Sequence, residues 1–164
     1  MKKRWRGKRS FSLVMLAFIV VIGVLSGCSG KDEKTSEQLS VTEIGESIEQ
    51  AVSLKEMKKQ DLNKLQKLYR LDAGSVDDFI LYTSTSNVKA DELAVIKLKD
   101  ESQAESVKEN IEQRVEAQKI KFKDYRPDEY FLVEHHVLKT KGPFVLFAVS
   151  KEAASMEHVF DGAF

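Results

Sequence analysis

Residues 91–122, DELAVIKLKDESQAESVKENIEQRVEAQKIKF, decide the fold, because the spacing of their apolar side chains changes partway along the segment. From Glu92 to Leu98 the side chains alternate as they do on the two faces of a β-strand. From Ser102 to Phe122 the apolar side chains recur at steps of three and four, which is the spacing of one helix face. Those apolar residues are Ala104, Val107, Ile111 and Val115. A strand followed by a long amphipathic helix predicts a helix that lies on a sheet, with its other face in water.

The segment before this stretch predicts one more strand and two helices. Residues 78–84 contain a short apolar run between turn residues, which favours a strand that forms a hairpin with the one described above. Ser40 and Glu43 fit a capping box, and the apolar residues after them predict a helix over residues 41–52. Asp61 is placed to cap a second short helix that carries Leu62, Leu65 and Leu68.

The segment after the long helix predicts a second hairpin and a last helix. Residues 131–139 and 143–150 are strand-like and flank the turn residues Lys141 and Gly142. Residues 151–160 have the pattern of a short helix. The predicted fold class is therefore α+β, with a mainly antiparallel four-stranded sheet whose one covered face packs against the long helix, N-terminal helices and a short C-terminal helix.

The first 27 residues have the layout of an export signal. A basic stretch over residues 1–9 precedes an apolar run over residues 11–25, which is shorter than the ~20 residues of a spanning helix. The run ends in a short motif made of Leu25, Ser26, Gly27 and Cys28. A signal anchor with an incidental cysteine is the alternative interpretation.

This motif resembles the lipobox of bacterial lipoproteins, in which the cysteine is acylated and becomes the new N-terminus. The resemblance implies that Leu25, Ser26 and Gly27 are recognised by the signal peptidase and that Cys28 carries the lipid, palmitate included. We expect a lipid-anchored protein on the extracytoplasmic face of the cell membrane. Residues 28–40 are polar and predict a flexible tether, and residues 41–164 predict a single domain.

Charge and cysteine content exclude some classes of protein. Six basic residues precede Cys28, and without them the chain has 20 basic and 26 acidic residues, a net charge of −6. Because phosphate contacts need clustered lysine and arginine, we expect no nucleic-acid partner. With a single cysteine the chain forms no intramolecular disulfide.

A set of short motifs extends over about residues 43–160, and DELAV and YRP are the most recognisable of them. The residues concerned are Leu68, Tyr69, Asp91–Val95, Arg114, Gln118, Tyr125–Pro127, Lys141 and Gly142. Together they resemble DUF4358, a family of small bacterial lipoproteins whose domain has no known function. A family of unknown function implies no catalytic residue.

Histidines and a serine give little sign of a catalytic or metal site. His135 and His136 are neighbours on a predicted strand, where they would point to opposite faces, and His158 is the remaining histidine. We therefore expect no metal. Ser155 lies three residues before His158, but no acid is placed to orient that histidine. Glycines are scattered, so we expect neither a nucleotide site nor another cofactor.

Carboxylates and aromatic residues supply the remaining candidates. Asp77 and Asp78 begin one strand of the predicted hairpin, and Asp91 and Glu92 begin the other. The hairpin is therefore expected to bring several carboxylates close together. The alternative is that these carboxylates lie at exposed strand ends. A candidate binding surface consists of Glu92, Tyr125 and Arg126, with Tyr130 nearby in sequence. The alternative for Tyr125 is a packing residue that fixes a turn.

The functional expectation is a non-enzymatic binding or scaffolding module at the cell envelope. Its expected partners are the membrane, through acylated Cys28, and an envelope protein. Two alternatives stay open from the sequence. One is a small-ligand sensor or an accessory lipoprotein of a transporter, and the other is an envelope hydrolase that uses carboxylates such as Glu92.

Overall fold

The computed structural model of the protein describes residues 39–164, which form a five-stranded antiparallel sheet and five α-helices. The strand order is β1-β2-β3-β5-β4. The strands are β1 (Met57–Lys59), β2 (Val76–Ser84), β3 (Glu92–Leu98), β4 (Val137–Lys141) and β5 (Phe144–Val149). The helices are α1 (Val41–Ala51), α2 (Leu62–Tyr69), α3 (Ala104–Phe122), α4 (Pro127–Glu134) and α5 (Ala153–Gly162). The α+β class and the antiparallel sheet are confirmed, but the sheet has one strand more than the predicted four.

The additional strand is β1, at one edge of the sheet. It pairs with β2 from Met57 opposite Ser84 to Lys59 opposite Tyr82. A strand of three residues is too short to show an alternating pattern, and two of its side chains are exposed lysines. The pairing with β2 therefore creates this strand, and local sequence does not reveal it.

Both faces of the sheet are covered, whereas the sequence predicted cover on one face only. One face packs against α2, α3 and α4, and the other packs against α1 and α5. Along β5 the alternation is clear, since Val145 and Phe147 belong to the first core and Leu146 and Ala148 to the second. Central strands buried on both faces need apolar residues at nearly every position, which explains the continuous apolar run in β5.

The segment predicted as a strand over residues 131–139 begins as a helix instead. Pro127 occupies the first turn of α4, where its missing N–H costs nothing, and Asp128 and Glu129 follow in the same turn. The helix continues to Glu134, and the strand β4 starts only at Val137. The proline therefore starts this helix, besides separating it from α3.

The long helix and strand β5 follow the predicted boundaries closely. Helix α3 ends at Phe122, as its apolar spacing predicts, and buries Val107, Ile111 and Val115. The turn between β4 and β5 contains Gly142 with φ of 53°, a left-handed conformation that glycine adopts without a Cβ clash.

The start of the described region is already packed. Ser40 caps α1 by accepting a hydrogen bond from the backbone N–H of Thr42 at 3.1 Å. Leu39 is buried in the core on the α1 face, although the sequence placed it in the tether. The predicted lipid site Cys28, the residues Leu25, Ser26 and Gly27, and the tether before residue 39 lie outside the described residues. None of the helices within residues 39–164 has the length and apolar character to cross a bilayer.

Candidate functional site

A buried carboxylate lies at the start of β3. Glu92 is only 1% exposed and lies on the sheet face that packs against α3, like Ala94 and Ile96 two and four residues later. One of its oxygens accepts hydrogen bonds from the Tyr69 hydroxyl at 2.6 Å and from Arg114 Nε at 2.6 Å. The other accepts from Arg114 Nη2. These three residues are called the Glu92 cluster.

Local structure explains how the cluster forms. Arg114 follows Ile111 by one helical turn, so its stem lies beside the buried stripe of α3 while its head reaches the end of β3. Tyr69 is the last residue of α2 and is fully buried, with its ring edge-on to Phe147 at 6.0 Å between centroids. The cluster thus joins α2, α3 and β3 at one point.

Burial and charge set the protonation states in the cluster. Burial, and then the negative charge and hydrogen bond of Glu92, raise the pKa of Tyr69 well above its usual value. Burial alone would lower the pKa of Arg114, but the hydrogen bonds and charge of Glu92 outweigh it and raise that pKa. Arg114 is therefore a charged guanidinium, and Tyr69 is a neutral phenol that donates its proton to the hydrogen bond with Glu92.

A cleft of about 500 Å³, called the Glu92 cleft, contains two members of the cluster, Glu92 and Arg114, in its wall. It lies between α2, α3 and the loop that joins β2 to β3. Most of the lining is polar, namely Lys64, Thr83, Ser84, Thr85, Ser86, Asn87, Lys89, Asp91, Glu92, Arg114, Gln118 and Lys121. Such a volume falls in the range of about 300–1,000 Å³ typical of small-molecule sites.

A second buried carboxylate, Glu129, holds the loop that borders the cleft. It is 4% exposed and accepts hydrogen bonds from the Ala90 backbone N–H at 2.8 Å and from Lys89 Nζ at 2.8 Å. Burial would raise the pKa of Glu129, but the hydrogen bonds from Lys89 and the Ala90 N–H, with the positive charges of Lys89 and Arg126, lower it. Helix α4 therefore fixes the β2–β3 loop through one side chain.

Asp91 also lines the cleft and is half-buried. Burial, followed by the nearby charge of Glu129, raises the pKa of Asp91. The four acidic residues of the β2–β3 hairpin do not lie together, because two antiparallel strands begin at opposite ends of the hairpin. Asp78 lies opposite Lys97, whereas Glu92 lies opposite Thr83, so Asp77 and Asp78 are at the far end of the hairpin.

The predicted binding surface is divided by the structure. Glu92 is buried in the cleft wall, whereas Arg126 is exposed and Tyr125 is 85% exposed at the corner between α3 and α4. The Glu92 cleft includes neither Tyr125 nor Arg126 in its lining. Tyr125 therefore does not line the cleft with Glu92, and its exposure shows that it is not a packing residue either. Tyr130 is partly buried against the core.

The histidines occupy other places than the sequence predicted. His135 and His136 follow the end of α4 rather than lying within a strand, and their Nδ1 atoms contact the carbonyl oxygens of Phe131 at 2.9 Å and Val133 at 2.8 Å. Both histidine side chains thus lie against carbonyl groups at the end of α4. Ser155 and His158 are both exposed on α5. Within residues 39–164 no three metal-ligating side chains are grouped to hold an ion.

Sequence reasoning missed several residues of the site. Glu129 gave no signal, because its segment was interpreted as the approach to a strand. Arg114 and Tyr69 appeared only as positions of a family resemblance, and Lys64 and Lys121 were not singled out. The available signal was the pair formed by an acidic residue in an apolar strand and an arginine beside the apolar stripe of α3, since buried charges need partners.

The comparisons with known proteins identify one family. A family model described as "Domain of unknown function (DUF4358)" matches residues 50–150. No curated protein and no solved structure gives a significant match to the chain.

Proposed function

The chain belongs to the DUF4358 family, and with that as the premise we propose that it is a lipid-anchored, extracytoplasmic and non-enzymatic binding module whose ligand site is the Glu92 cleft. The anchor in this proposal is acylated Cys28, supported by the lipobox-like motif and the basic and apolar leader before it. The cell envelope is therefore the place where the domain would act.

One observation carries the ligand site. A buried ion pair with several hydrogen bonds forms part of the wall of a polar cleft. Apolar residues between α3 and the sheet would have closed this volume without burying charge. Burying a carboxylate and a guanidinium is costly, and apolar residues of similar size would often be no less stable. The pair instead fixes the geometry of α2, α3 and β3 around an open volume, which is what a preorganised binding site requires.

The hydrogen bonds of Glu92 favour binding over hydrolysis. Both of its oxygens already accept hydrogen bonds, from Arg114 and Tyr69, so the carboxylate is not presented as a free base to a molecule in the cleft. Acid and base work by paired carboxylates needs groups that reach the substrate. Glu92 therefore serves here as a positioning residue for the cleft.

A cleft-filling variant tests this proposal. Ala117 is an exposed residue of α3 that lines the cleft, so Ala117→Trp should block it without disturbing the core. We expect native mass spectrometry of the full-length protein, purified from its membrane in mild detergent, to show a bound small molecule that the variant lacks. The matched control is Ala154→Trp, at an exposed alanine on α5, which should retain the molecule. Equal occupancy in all three proteins, or none in the wild type, would refute the cleft as the site.

The anchor is tested separately at Cys28. Cys28→Ala is expected to abolish acylation completely and to leave an unprocessed precursor, because the thiol is the group that forms the thioether. Metabolic labelling with radioactive palmitate, followed by gel electrophoresis, measures both the label and the size shift. Cys28→Ala protein that still incorporates label would contradict the lipoprotein proposal while leaving the cleft untouched.

A further inference from the structure

The cations of the Glu92 cleft are only half matched by carboxylates. Lys89 pairs with Glu129 at 2.8 Å, and Arg114 pairs with Glu92. Lys64 forms no ion pair with any residue that the structure describes. Paired carboxylates thus match two of the four positive charges around the cleft, and one further carboxylate, Asp91, lines it without an ion pair to any described residue.

Lys121 also retains its charge and most of its donors. Its Nζ donates to the carbonyl oxygen of Asn87 at 2.8 Å, which uses one of three N–H groups and neutralises no charge. Two lysines and one carboxylate without an ion pair among the described residues leave the cleft with an excess of one positive charge, in a mature chain of net charge −6. An excess of positive charge at a concave site favours anionic ligands.

Three hydroxyl groups at the end of β2 and in the β2–β3 loop, called the loop hydroxyls, add further donors. The Ser84 oxygen accepts from the Ser86 N–H at 3.1 Å, and the Ser86 oxygen accepts from the Val88 N–H at 3.4 Å. The Thr83 oxygen accepts from the Gln60 amide at 2.9 Å. None of these three hydroxyl protons has an acceptor among residues 39–164, so each remains available to donate to a ligand.

Asp91 gives the cleft one acceptor of opposite character. It lines the cleft and forms no salt bridge within the part of the chain that the structure describes. A ligand that carried only negatively charged groups would repel the Asp91 carboxylate. A ligand that also carries hydroxyl groups would donate to it.

From this arrangement we infer that the Glu92 cleft binds a phosphate ester that carries hydroxyl groups, with its phosphate held by Lys64, Lys121 and the loop hydroxyls. The inference rests on the proposed function and specifies the ligand class of the same site. Arginine binds carboxylate or phosphate groups with two hydrogen bonds, but Arg114 is already engaged by Glu92. Lysine ammonium groups, which also bind phosphate, and the hydroxyl donors are therefore the groups that remain for a ligand. Asp91 is the acceptor for a ligand hydroxyl.

Calorimetric titration of the full-length protein in a maltoside detergent tests the ligand class. The probe is sn-glycerol 3-phosphate, which has both the phosphate and the hydroxyl groups, and glycerol and citrate are the comparison ligands. We expect binding of the phosphate ester, none of glycerol, and markedly weaker binding of citrate. Lys64→Gln and Lys121→Gln should each weaken binding about tenfold or more, since a charged donor to phosphate is lost.

A charge-matched control separates the cleft from general electrostatics. Lys55→Gln combined with Lys151→Gln changes the net charge by the same amount as Lys64→Gln combined with Lys121→Gln. Both control positions are exposed and lie outside the cleft, so the control variant should bind the ester like the wild type. No binding of the ester, equal binding of citrate, or unchanged affinity in Lys64→Gln with Lys121→Gln would overturn the inference. If native mass spectrometry still finds a phosphate-free molecule in the cleft, the proposed function survives while this inference fails.

The same chemistry can come from a soluble ester or from a lipid headgroup, and bilayers distinguish the two sources. The titration is repeated with the full-length protein in phosphatidylcholine bilayers with and without phosphatidylglycerol. Weaker apparent binding of glycerol phosphate when phosphatidylglycerol is present assigns the site to the headgroup, because the lipid competes. Equal binding in both bilayers assigns it to a soluble ester, and either result supports the phosphate site.

Discussion

Glu92→Ala is expected to lower the free energy of unfolding by about 3–5 kcal/mol, the cost of removing one partner from a buried ion pair. The variant leaves the Arg114 guanidinium, whose side chain is only 19% exposed, without its carboxylate, and it removes the acceptor of the fully buried Tyr69 hydroxyl. Urea-induced unfolding of the full-length protein, followed by circular dichroism, measures the change. The matched control is Glu109→Ala, at an exposed glutamate of the same helix as Arg114, with an expected change within about 0.5 kcal/mol.

A double variant shows whether the cost comes from the orphaned charge. Glu92→Leu combined with Arg114→Met removes both charges and fills similar volume, and it should recover most of the stability lost in Glu92→Ala. A Glu92→Ala variant as stable as the Glu109→Ala control would contradict the buried ion pair. So would a double variant whose loss of stability equals the sum of the losses in Glu92→Leu and Arg114→Met, because additive losses mean that the two residues do not interact.

Glu129→Ala is expected to lower the free energy of unfolding by about 1–3 kcal/mol, because it leaves a buried N–H without an acceptor. That donor belongs to Ala90, which is 1% exposed, and Lys89 loses its ion pair in the same variant. Hydrogen exchange should show faster exchange at the Ala90 amide. Asp128→Ala, at the exposed neighbour in the first turn of α4, should cost at most about 1 kcal/mol and leave that amide protected.

The contribution of Glu129 should also depend on pH. Its pKa in the folded protein lies below the ordinary value of 4.5, so the stabilisation is fully present above pH 4.5 and is lost as the pH falls through the lowered pKa. The stability difference between wild type and Glu129→Gln should therefore be largest near neutral pH and shrink in acid. A difference that grows on acidification would contradict the assigned partners.

Strong periodicity made much of the fold predictable. Helix α3 has a long regular apolar stripe, and its end at Phe122 matches the prediction. Helix α1, the β2–β3 hairpin and strand β5 also follow patterns that arise within the segment itself. Each of these elements contains its own signal, so no knowledge of its neighbours was needed.

The elements that the sequence did not predict correctly depend on contacts with segments distant along the chain. Strand β1 exists only because β2 offers it a pairing edge, and α4 begins with Pro127, which also suits a break between elements. The candidate site has the same difficulty. Glu92 was predicted as one of several carboxylates, but its partner Arg114 comes from a different element, and only the packing of α3 on β3 brings the two together.

Both open edges of the sheet are made of short strands that carry lysines. In β1, Lys58 and Lys59 are exposed, and in β4, Lys139 and Lys141 pair with Asp161 of α5. Lysines on an edge strand oppose the addition of a further strand from another molecule, because like charges would meet along the new ladder. Such protection resists edge-to-edge aggregation, and under the proposed lipid anchor it would matter most, because anchored copies meet their neighbours at high local concentration.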